Sequence, residues 1–160
     1  AGEFMFLTRA VQGDSRINLI DAVFSSKEIT GLMSVCDSFV SLHRSEGIGL
    51  SIAQSMLLGK PVIATNYSGN TDFTKPGNSC LVDYNLIEVK KGEYPFFKGQ
   101  VWADPSIDQA SNYMRRLVED ESYRNAVAQS GCSYIKTHHN AEVVGINYRS
   151  RLIELGLLDD

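Results

Sequence analysis

Three short runs in this chain combine residue types that can do chemistry. Glu46 stands directly before Gly47-Ile48-Gly49, Gln54 follows on the same helical stretch, and Ser68-Gly69-Asn70 forms a second polar run containing glycine. Glycines just ahead of a helix let backbone N–H groups face an anion, and the macrodipole leaves that helix end positive. A diphosphate suits such a cradle; the plainer alternative is a tight turn that needs glycine. A carboxylate beside it, Glu46, either accepts hydrogen bonds from sugar hydroxyls or is a solvated group favoured by the dipole. At ~1.5 Å per residue, Glu46 and Gln54 lie roughly 10 Å apart along the helix, about the span from a sugar to a ribose across a diphosphate. His43 and Arg44 sit in the same loop. His43 reads as a polar contact near the sugar or as a structural imidazole. Arg44 meets a phosphate or, more simply, a surface carboxylate.

Other chemistries find no support. Ser45 and Ser68 lie in loops, but the sequence has no G-x-S-x-G run. His138 and His139 are adjacent, so on a helix they point apart, and no carboxylate pair completes a metal set. There is no Asp-x-Asp pair for a metal-bound nucleotide, and no metal or other cofactor is expected. Cys36, Cys80 and Cys132 are odd in number and widely spaced, which favours reduced thiols over a disulfide framework. Asn66-Tyr67-Ser68 matches a glycosylation sequon by chance.

The elements that must position these residues are readable around them. Ser38–Leu42 is a short β-rich run ending at the first glycine loop. Ile52, Ala53, Met56 and Leu57 recur with helical spacing, and Gly59 with Pro61 stops that helix. Pro61–Thr65 is the next apolar strand, leading into the second loop, where Asn70 or Thr71 is expected to cap a short helix. Both glycine loops therefore fall at the carboxyl ends of strands, where open parallel sheets bind ligands.

Upstream, Met5–Thr8 and Ile17–Ile20 read as short strands, and Ser25 with Glu28 forms a capping box for a helix over 27–36 whose face is Ile29, Leu32, Met33 and Cys36. Downstream, 75–78 is a turn and 79–83 a third strand. Residues 85–103 read as a long loop pinned by Tyr94, Phe96, Phe97 and Trp102. Asp104-Pro105 is expected to open a helix to about Asp120, a second helix to end at Gly131, and Asn140 to cap a third with Val144, Tyr148, Leu152 and Leu155 buried. The alternation predicts an α/β fold, a parallel sheet with helices on both faces and a helical C-terminal tail.

With 160 residues, 43% hydrophobic and 21% charged, the chain suits one domain with a real core. A net charge of −4 and scattered cations give no nucleic-acid footprint. No apolar run reaches the ~20 residues of a membrane span. Ala1-Gly2-Glu3-Phe4 reads as an expression scar, leaving 5–160 as the domain.

The run EGIGLSIAQSMLLGKPVIAT, with the lead-in SVCDSFVSLHRS and the following SGNTDF and NSCLVDY, resembles the retaining GT-B glycosyltransferases of the family-4 type. The resemblance covers nearly all of 17–156. It implies a C-terminal, Rossmann-like domain that binds a UDP- or GDP-sugar without metal. It assigns the hexose contact to Glu46 and the sugar and diphosphate contacts to Gly47, Ile48, Gly49 and Leu50. The family's second Glu, which binds ribose, is Gln54 here. An amide still accepts and donates but loses the charge-assisted bond. The resemblance also implies an N-terminal acceptor-binding domain and a diphosphate-clamping Arg and Lys outside this chain. The chain is thus expected to be a cytoplasmic donor-domain fragment, inactive alone, of a parent peripheral to the inner membrane face. The alternative is a degenerate, non-catalytic domain that binds nucleotide or protein.

Overall fold

The computed structural model describes residues 2–159. A three-stranded parallel sheet holds the middle of the chain, in the order β1 (Phe39–Ser41), β2 (Val62–Thr65), β3 (Cys80–Val82). β2 is central and wholly buried, so its side chains alternate between two apolar layers. Val62 and Ala64 face one layer with Ile52 and Met56 of α3 (Leu50–Leu57), Phe73 and Ile135. Ile63 faces the other with Cys80, Val82, and Ala110 and Leu117 of α4 (Ile107–Glu119). The helix α5 (Glu121–His138) gives Val127 to the second layer and Ile135 to the first, and so ties the two together. The sheet covered on both faces and the helical tail are as the sequence predicts.

Local signals explain most of this middle. The helix α2 (Ser26–Val35) carries the complete capping box between Ser25 and Glu28, with reciprocal bonds of 2.8 Å and 3.3 Å. Ser25 donates to the Glu28 carboxylate from its N–H and also from its Oγ–H at 2.7 Å, and these two bonds hold that carboxyl below its ordinary range. α3 stops where Gly59 turns left-handed at φ +71°. Ile29, Leu32, Met33 and Cys36 do share one side of α2, lining a shallow groove with Phe39 and Ser55, although none of α2 is buried.

Several expectations are corrected. Met5–Thr8 is not a strand but part of the helix α1 (Gly2–Val11), because its apolar residues run consecutively and no strand neighbours them. Ile17–Ile20 forms no strand either; its side chains are exposed and unpaired. Residues 85–103 are a loop only over 89–100. The rest belongs to an antiparallel hairpin, β4 (Tyr84–Glu88) and β5 (Val101–Pro105), in register from Tyr84↔Pro105 to Glu88↔Val101. Asp104 and Pro105 close β5 instead of opening a helix, and Ser106 caps α4. Gly131 does not end α5, which runs on through it; glycine stands there because a Cβ would press on Asn78 O at 2.9 Å and Met56 Cε at 3.3 Å. Asn140 caps α6 (Ala141–Glu154) as predicted, but Val144, Tyr148, Leu152 and Leu155 are exposed rather than buried. No described helix is long and apolar enough to cross a membrane.

Candidate functional site

The loop after β1 and the loop after β2 meet at the carboxyl edge of the sheet. Gly49 is the N-cap of α3 and takes φ +86°, a left-handed conformation that suits glycine. No side chain caps the helix, so its first N–H groups open onto a concavity of about 460 Å³ lined by Phe39, Ser41, Glu46 and 47–52. Glu46 turns its carboxylate back to accept from Gly49 N–H at 3.2 Å. It is the one carboxylate lining the concavity among the described residues, and no Lys or Arg lines it. The site's positive end is therefore a dipole of peptide groups.

The two loops are locked together. Gly69 N–H donates to Glu46 O at 3.0 Å, and Glu46 N–H donates to Ser68 Oγ at 2.8 Å. A Cβ at Gly69 would overlap the Gly47 carbonyl, so only glycine lets the backbones approach this closely. Ser68 adopts φ +66°, ψ −148°, a strained conformation for a side chain that is typical of functional loops. The short helix expected here is a 3₁₀ turn over Gly69–Asp72 with Ser68 as its cap. Asn70 and Thr71 do not cap it. Asn70 is instead fully buried, donating to Thr65 O at 2.9 Å and Thr74 Oγ1 at 3.2 Å.

His43 and Arg44 brace the first loop from two sides. His43 Nε2 lies 3.1 Å from Tyr67 O and 3.0 Å from Asn70 Oδ1, both acceptors. Nε2 therefore carries the proton, and Nδ1 accepts from Ser41 Oγ–H at 3.1 Å. The imidazole is thus occupied in joining the loops. Arg44 faces the hairpin: its carbonyl accepts from Ala103 N–H at 2.9 Å, its guanidinium lies 4.9 Å from the Trp102 ring, and Asp104 is 3.7 Å away. Of the two readings of Arg44, the surface carboxylate is the one observed. Sequence reasoning missed this bracing because its partners, Ala103, Trp102 and Asp104, lie far along the chain.

The structure brings Glu46, Gly47, Ile48, Gly49 and Leu50 together around the concavity, with Ser68 and Gly69 behind them. Asn70 and His43 support that wall from within. Gln54 stands apart, on the flank of α3, where its amide donates to Thr30 Oγ1 of α2 at 2.7 Å. Among the described residues no group of three or more His, Cys, Asp or Glu could hold a metal ion.

The family model for glycosyl transferases group 1 matches residues 16–133. No curated protein sequence matches the chain. Among solved structures, the C-terminal domain of a glycosyl transferase group 1 family protein (LpcC) from Francisella tularensis is 21% identical, with a TM-score of 0.63 over 88% of this chain and 62% of that one. Sucrose-phosphate synthase from Thermosynechococcus elongatus gives 0.70 at 15% identity, over 96% of this chain and 34% of that one. HepE from Anabaena, solved with UDP and glucose, gives 0.65 at 19% identity, over 98% and 36%. The chain thus spans less than two thirds of each of these proteins, and they share its α/β fold. Because the family match runs over most of its length, the chain belongs to the glycosyl transferases group 1 family.

Proposed function

We propose that this domain holds the UDP- or GDP-sugar donor of a retaining, metal-independent glycosyltransferase whose acceptor-binding domain lies elsewhere in the parent protein. The observation that carries the reading is the uncapped N-terminus of α3, opening onto a concavity with Glu46 on its wall. A diphosphate there accepts from the N–H groups of the first turn. The hexose lies against Glu46, and the ribose reaches Gln54 only where its amide leaves Thr30. In an oxocarbenium-like transition state negative charge grows on the departing diphosphate. N–H donors already aimed there lower the barrier without reorganising. Cations to complement that charge come from outside this concavity, so the domain alone binds donor without turning it over. HepE, the Anabaena protein of the same fold, is solved with UDP-glucose, which makes a UDP-linked hexose the first donor to try.

The test is sugar transfer by the full-length parent protein, with UDP- and GDP-sugars and varied acceptors. Transfer that falls sharply in Glu46→Ala is expected. No transfer by wild type with any donor would overturn the reading. A second reading, a domain that binds nucleotide without catalysis, draws on Gln54, whose amide is committed to Thr30. Gln54→Glu separates the two: a gain of transfer favours an attenuated enzyme, and continued absence favours the binding module.

A further inference from the structure

The connection between β4 and β5, residues 89–100, carries cationic and aromatic side chains side by side at the surface. Lys90, Lys91 and Lys98 are exposed. Phe96 is 93% exposed and Tyr94 66% exposed. We infer that this loop is a docking surface for an anionic lipid membrane, its rings entering the headgroup region and its lysines meeting the negative lipids. The inference goes beyond the donor reading and does not depend on it.

Charge is the first argument. Residues 90–98 hold three lysines against one acid, Glu93, whereas the whole chain has a net charge of −4. Glu93 turns its carboxylate inward to accept from Lys90 N–H at 2.7 Å. Among the described residues no carboxylate forms an ion pair with the three lysines. The loop is thus a positive patch on a negative protein, complementary to anionic headgroups. The rings are the second argument. Aromatic side chains settle at membrane–water boundaries, and each ring that leaves water there gains hydrophobic free energy. A fluid interface accepts a projecting ring such as Phe96 without a matching pocket. Together the two signals hold a protein to a membrane that either alone holds weakly.

The loop is built to present these groups. Val89 is buried, and its N–H donates to Gln100 O at 3.0 Å, which closes the base. Glu93 N–H donates to Lys90 O at 3.1 Å and Gln100 N–H to Phe97 O at 2.9 Å, so turns shape both halves of the segment. Phe96 takes φ +55°, rare for a bulky residue. Neither its exposure nor its backbone helps the fold, and both point to a partner outside it. Tyr94 and Phe96 also share a cleft of about 570 Å³ with Ser45, Glu46 and Gly47. A membrane met by this loop therefore lies at the rim of the candidate site.

The experiment is flotation of this chain with vesicles of phosphatidylcholine alone and of equal parts phosphatidylcholine and phosphatidylglycerol. The mixed vesicles should carry the chain, the neutral ones should leave it behind, and raised salt should release it. Phe96→Asn suits the left-handed backbone better than phenylalanine does, and it should weaken binding roughly tenfold. Lys90→Gln, Lys91→Gln and Lys98→Gln together should abolish the preference for mixed vesicles. Phe96→Trp places a probe at the tip: its fluorescence should shift to the blue on mixed vesicles, whereas that of the wild type, with Trp102 under Arg44, should not. No binding to mixed vesicles, equal binding to neutral ones, or binding unaltered by Phe96→Asn overturns the proposal. So does a dimer in solution that Phe96→Asn dissociates, because a second copy then covers the loop. A UDP titration of the same samples tests the donor reading alone; its failure overturns that reading and leaves the vesicle result standing.

Discussion

At the carboxyl edge of the sheet polar groups are buried and bonded, whereas at the two ends of the chain apolar groups are exposed. Asn70 is fully buried yet bonds Thr65, Thr74 and His43. Phe6 in α1 and Tyr148 in α6 are 70% and 69% exposed, and neither α2 nor α6 buries a residue. The contrast separates two uses of sequence. In the loops, residue identity is fixed by close backbone approach and by donors that must be matched. In the end helices, identity is fixed by helix formation alone, through caps such as Asn140. Stability and site geometry should therefore respond to substitutions in the first region and ignore them in the second.

The largest effect expected is from Gly69→Ala. Its methyl cannot coexist with the Gly47 carbonyl, so the loops must part, at a cost of about 4 kcal/mol, and UDP binding should be lost. Chemical denaturation and a UDP titration check both. Met56→Ala removes a fully buried side chain between β2 and α5 and should cost about 3 kcal/mol. It tests whether core and loop are separable, since UDP should still bind when the variant is folded. Asn70→Ala leaves Thr65 O without its donor and should cost roughly 2 kcal/mol. A cost near zero would break the comparison, because the loop network would then be ornamental.

Alkaline pH gives a smaller effect. Burial and the contact between Cys80 and Tyr123 raise the Tyr123 phenol well above its ordinary 10.0, and burial raises the Cys80 thiol above its ordinary 9.0. The unfolded chain loses these protons at the ordinary values while the folded chain keeps them. Their contribution is thus intact below pH 9 and declines as pH rises through 9 and 10. Tyr123→Phe should flatten that decline in a series of thermal melts. Smallest of all, Tyr148→Ser should change stability by less than about 0.5 kcal/mol. A larger loss would mean that α6 packs where its exposure says it does not.

Much of the site was legible because its signals are local. Gly49 ahead of an amphipathic run, Gly59 with Pro61 after it, and Ser25 with Glu28 are all read within a few residues. The hairpin was hidden because residues 89–100 separate its strands, far more than the 2–5 residues that signal a hairpin. Asp104-Pro105 misled because the same pair that opens helices can close a strand, with Ser106 two positions on taking the cap. Gly131 misled because its reason lies across space, against Asn78 and Met56, rather than in its own backbone. Gln54 could be placed on α3 from spacing, but its bond to Thr30 depends on how α2 docks.

The backbone contact of Gly69 with Glu46 and Gly47 also bears on protein engineering. Two segments far apart in sequence behave as one part, with Glu46 bonded through both its N–H and its C=O to residues 68 and 69. Transplanting the EGIG loop into another scaffold without its SGN companion would carry over the letters and leave the shape behind. Conversely, a library that varies either loop should vary both together, because useful combinations are correlated across the pair.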